Sequence, residues 1–97
     1  MIDLKQKVIL QGAINIYGIH KQSIVAIEEM SELTKEITKS LREEMRSEHM
    51  VEEIADVLIM VEQVKMMYEV SDDEIQRNID YKINRLNDRL IERIIYE

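Results

Sequence analysis

The chain is 97 residues long, 45% hydrophobic and 34% charged, with a net charge of −7, which points to one small domain spanning 1–97. An acidic surface is repelled by a phosphate backbone, so nucleic acid is not expected as a partner, and no stretch approaches the roughly 20 apolar residues of a membrane span. There is no Cys, as suits a reducing compartment, and "MIDLKQKVIL" lacks the basic start and long apolar run of a secretory leader, so a cytoplasmic location is expected.

Pro is absent and Gly occurs only at positions 12 and 18, among abundant Ile, Leu, Met, Glu, Lys and Arg. That composition predicts an all-α chain. The first helix is expected at about 3–17, ending near Gly18, and the second at about 20–43. A charged linker, "SLREEMRSEH" (40–49), leads to a third helix at about 49–69. "SDDE" (71–74) opens the fourth, with Ser71 capping the helix and Glu74 reaching back. Ile75, Ile79, Ile83, Leu86, Leu90 and Ile94 then form one apolar seam at helical period. Short connections between such helices predict a compact four-helix bundle.

Acid is concentrated in the middle of the chain: residues 28–56 hold ten acids against four bases. Within that span "IEEMSEL" (27–33) and "VEEIADVLIMV" (51–61) each set carboxylates into an apolar element. On a helical wheel Glu53 and Asp56 continue a line with Met60, Val64 and Met67, while the wet side of the third helix is expected around Glu62 and Lys65. Met60, Met66 and Met67 are expected in the core. In the second helix Glu29, Glu32 and Glu36 share a face, with Glu28 flanking. Glu29/Glu32 and Glu53/Asp56 are both i, i+3 pairs, which meet on a helix surface. If the two helices face each other, four carboxylates converge.

Desolvating an unpaired carboxylate costs several kcal/mol, a large share of the about 5–15 kcal/mol that holds a small domain together. Such a cluster must be protonated, paired with Lys or Arg, or neutralised by a metal. All-oxygen ligation suits Mg2+, with Mn2+ as a substitute. Zinc is disfavoured with no Cys and only His20 and His49 available, and no Glu-x-x-His pair of a di-iron bundle is present.

"EEMSEL" followed by "EEIADVLIMV" resembles the Glu-x-x-Glu … Glu-x-x-Asp signature of the MazG-like, all-α nucleoside triphosphate pyrophosphohydrolases, from about "YGIHKQ" (17–22) to "KINRLNDRL" (82–90). The resemblance implies hydrolysis of a (d)NTP between the α- and β-phosphates, giving a monophosphate and pyrophosphate. It matches Glu29, Glu32, Glu53 and Asp56 to the Mg2+ ligands and Glu28 and Glu52 to the acids preceding each motif. Glu29 or Glu32 is expected as the general base. Tyr17, His20 and Gln22 fall where the family approaches the base of the nucleotide. On the fourth helix Asn78, Lys82, Arg85 and Arg89 share a face, and Lys82 and Arg85, with Arg89 behind them, are the expected phosphate holders; Lys35 and Lys39 are further candidates.

The third helix is apolar at nearly every azimuth, more than four helices of one chain can cover. Self-association as a homodimer or homotetramer is therefore expected. Two alternatives to the pyrophosphohydrolase stay open: a non-catalytic helical oligomerisation or regulatory module, and a hydrolase of another phosphorylated compound.

Overall fold

The structure, a computed structural model, describes residues 1–96, and all their regular structure is helical. Helix α1 spans Leu4–Tyr17, α2 Ile19–Glu43, α3 Met50–Met67 and α4 Asp72–Tyr96, within a few residues of the expected bounds. Each boundary has a local cause. Asp3 starts α1 through a reciprocal box with Gln6, the Asp3 carboxylate accepting from the Gln6 N–H at 2.8 Å and the Gln6 amide oxygen accepting from the Asp3 N–H at 2.9 Å. Gly18 closes α1 and opens α2 with φ 88° and ψ 160°. Glu44 ends α2 in the left-handed region at φ 55°. Ser40 ties the following turn back, its Oγ accepting the Ser47 N–H at 3.0 Å while donating to the Glu36 carbonyl at 2.8 Å. The expected Ser71–Glu74 box is present in both directions, with Ser71 N–H to Glu74 at 2.9 Å and Glu74 N–H to Ser71 Oγ at 3.2 Å.

Helices α2 and α3 make the most extensive pair, and α1 packs on both. Among the described residues Ile14, Ala26, Met60 and Met67 are the buried apolar side chains, so two of the three core methionines expected from the wheel are fully enclosed and Met66 is half-buried. Polar groups share this core. Gln22 of α2 donates to Gln63 of α3 at 3.0 Å with both side chains buried, and at the exposed edge Ser23 meets the Tyr68 hydroxyl at 2.7 Å. A buried amide pair of this kind costs free energy in any register that separates it, so it fixes how α2 and α3 slide against each other.

The expected compactness is not reached within one chain. The radius of gyration is 17.1 Å, against about 13 Å for a globular domain of this length. The reason is α4, whose 25 residues run about 37 Å without packing along α1, α2 or α3. Its seam stays open: Ile79, Ile83, Leu86, Leu90 and Ile94 are all exposed. So are Val51, Ile54, Leu58 and Val61 on α3. What ties α4 to the rest is its first turn, where Asp72 accepts from Lys65. Lys65 also pairs with Glu62 at 3.0 Å, and Glu62 with Lys7 of α1 at 3.6 Å. The expectation of a wet face at Glu62 and Lys65 is thereby corrected: their side chains are only 14% and 18% exposed, because each has a partner of opposite charge that makes enclosure tolerable.

Candidate metal centre

The α2–α3 pairing brings three of the predicted acids together. Glu29, Glu53 and Asp56 each offer a carboxylate oxygen within 4.8 Å of the other two, and all three are half-buried. The convergence follows from the register set by Gln22 and Gln63. Glu29 lies seven residues after Gln22, and Asp56 seven before Gln63, so both acids fall two helical turns from the amide pair on the same inner stripe.

The electrostatics are those of uncompensated anions. Burial raises the pKa of Glu29 first, followed by the Asp56 charge and a hydrogen bond shared with Asp56, with Glu32 and Glu28 adding to it. Burial likewise raises Glu53, followed by the charges of Asp56, Glu29, Glu52 and Glu32. The Glu53 Oε2 atom is buried and accepts no hydrogen bond. The ion pairs found among the described residues involve Lys7, Lys35, His49 and Lys65, and none of them reaches these three acids. A buried carboxylate oxygen without a donor is costly, and a proton, a water or a cation would satisfy it. Three hard oxygen donors at this spacing fit a divalent ion of the Mg2+ type.

Glu32 stands one turn further along α2, exposed and paired with Lys35 at 3.4 Å. It lies outside the close trio, though its charge still raises Glu29 and Glu53. Glu28 and Glu52 are exposed, Glu52 with His49 Nδ1 at 3.4 Å. The other predicted residues are distributed differently. Gln22 is buried and donates to Gln63. His20 and Tyr17 are exposed at the α1–α2 corner, with Lys21 Nζ 5.0 Å from the centre of the Tyr17 ring. Lys82, Arg85 and Arg89 are exposed on α4, Arg85 over the Tyr81 ring at 5.7 Å. Since α4 does not pack on α2 or α3, these cations are not gathered with the acids in one chain. Gln63 was missed by the sequence reading, although the same wheel that aligns Glu53 with Asp56 also places it beside them.

The raised carboxyl pKa values carry a pH signature. Between the ordinary carboxylate range and the raised values the folded chain holds more protons than the unfolded one, so stability falls as pH rises through that window. Below it the sign reverses. The Lys65 hydrogen bond lowers Asp72, and the Ser71 hydrogen bonds lower Glu74, so the stability these two supply is lost as pH falls through their depressed values. In chelator, the melting temperature is expected to peak at mildly acidic pH, and Glu53→Gln is expected to shallow the decline toward neutrality. A flat profile from mildly acidic to neutral pH would show that the trio is not desolvated.

Comparison with protein-family models, with curated proteins and with solved structures finds no match to this chain.

Proposed function

We infer that this chain is a Mg2+-dependent nucleoside triphosphate pyrophosphohydrolase, converting a (d)NTP to the (d)NMP and pyrophosphate. The observation that carries the reading is the convergence of Glu29, Glu53 and Asp56 around a buried carboxylate oxygen with no donor. The resemblance of the two acid motifs to the MazG-like family supports the same conclusion. Glu29, Glu53 and Asp56 would hold the ion, with Glu32 one turn along α2 as the remaining acid of the predicted set. When bound, Mg2+, or Mn2+ in its place, supplies positive charge that reconciles the triphosphate with the carboxylates and favours attack at phosphorus.

The protein's own part is positional. Its carboxylates fix the depth at which the triphosphate stops, and the Gln22–Gln63 pair keeps α2 and α3 from shifting beneath it. Water attacks the α-phosphorus, the bond from that phosphorus to the bridging oxygen breaks, and pyrophosphate leaves. The proton of the attacking water passes to a carboxylate, Glu29 or Glu32. Self-association as a homodimer or homotetramer belongs to the same reading, since it would cover the open stripes of α3 and α4.

Those exposed apolar faces equally favour a second reading, a non-catalytic helical oligomerisation module. One assay separates the two. Incubated with the eight common NTPs and dNTPs and Mg2+, the protein is expected to release pyrophosphate and to stop in excess chelator. Orthophosphate as the first product, turnover in chelator, or no turnover of any of the eight would overturn the proposed chemistry.

A further inference from the structure

We propose that the triphosphate tail is held by a basic row on α2 itself, Lys35, Lys39 and Arg42, and not by the cations of α4. The inference rests on the pyrophosphohydrolase reading and gives a bound nucleotide its direction. Lys35, Lys39 and Arg42 line one shallow hollow on the surface of α2 together with the carboxylates of Glu32 and Glu36; it starts at Glu32, one turn from Glu29, and runs toward the end of the helix. Spacings of four and three residues place the three cations on one side of the helix, the flank that also carries Glu28 and Glu32.

Several features favour this row. Lys39 is half-buried, so less side-chain freedom is lost when it holds an anion. Lys35 is engaged with Glu32 at 3.4 Å, an exposed pair of the kind that contributes little and exchanges readily. Were a cation held at the trio to draw Glu32 toward it, Lys35 would be free for a phosphate oxygen. Arg42 lies in the last turn of α2, where the helix dipole opposes an anion; it is the outermost contact, and Lys35 and Lys39 carry most of the binding. In the other direction along α2 lie the buried Gln22–Gln63 pair and Lys21, which is engaged with Tyr17. The phosphates therefore point toward the α2–α3 turn and the nucleoside toward the α1–α2 corner, where Tyr17 and His20 are exposed.

The test is calorimetric, with inorganic tripolyphosphate as the probe, and with orthophosphate as control, in the presence of Mg2+. Lys39→Ala and Lys35→Ala are each expected to weaken tripolyphosphate at least tenfold, with orthophosphate weakened far less, and in turnover to raise KM more than they lower kcat. Lys82→Ala and Arg85→Ala are expected to leave tripolyphosphate affinity within twofold of the parent. If the parent binds tripolyphosphate and the α2 variants bind it equally well, the proposal falls while the metal-dependent reading stands. Loss confined to the α4 variants would likewise overturn it and return the role to Lys82 and Arg85. If the parent binds no tripolyphosphate even with Mg2+, the pyrophosphohydrolase reading fails and the basic row fails with it.

Discussion

Glu53→Gln is expected to lower kcat by at least about 10²-fold, since losing a ligand from a metal site disturbs both its charge and its geometry. Glu53 is the most telling position of the three because its Oε2 is buried without a partner. The amide keeps the shape and removes the charge, so the loss reports on the ion and not on packing. The same substitution is expected to leave the melting temperature in chelator unchanged or higher, because it removes one of several repelling anions. Asp56→Asn should behave alike. A pronounced fall in melting temperature without metal would assign the acids a structural role and overturn the site.

Gly18→Ala is expected to act in the opposite way, on stability and not on chemistry. The backbone at Gly18, φ 88° and ψ 160°, lies in a region that is essentially reserved for glycine and costs other residues about 1–3 kcal/mol. An added Cβ would meet no atom within 4 Å, so strain is the whole of the effect. For a domain of this size each kcal/mol moves the melting temperature by about 4–8 °C, which predicts a drop on the order of 5–20 °C. Well below the transition, kcat per folded molecule should be unchanged. Gly12→Ala is the control. It lies inside α1 with equally open space around the site, where alanine is favoured by about 0.5–1 kcal/mol. Equal behaviour of the two variants would show that Gly18 is not strained.

The four helices were legible because their punctuation is local. Gly18, the charged turn after Glu43 and the Ser71–Glu74 box each act within a few residues, so sequence alone locates them. Glu29, Glu53 and Asp56 were legible for a different reason: each sits on an apolar stripe where a solvated side chain has no place. What could not be read was the placement of α4. Its seam shows only that the helix must cover something, and a wheel says nothing about which chain supplies the cover; the expectation that Lys82, Arg85 and Arg89 hold the phosphates therefore needs a contact that one chain does not build. Glu62 and Lys65 misled in the same way, because charge on a wheel looks wet until its partners on α1 and α4, Lys7 and Asp72, are known. The partner of Gln22 lies 41 residues away, a separation that no local pattern reports.

The makeup of the core also bears on how this protein ages. Two of its four buried apolar side chains, Met60 and Met67, are thioethers on α3, and the chain has no Phe or Trp to share the load. Sulfur in the closed core is shielded from peroxide, and it would be exposed when α2 parts from α3. A sulfoxide formed in that interval carries a polar oxygen that cannot return to the same packing. Oxidative damage would thus accumulate at the rate of opening, and any ligand that holds α2 against α3 at Glu29, Glu53 and Asp56 would slow that clock as an antioxidant does.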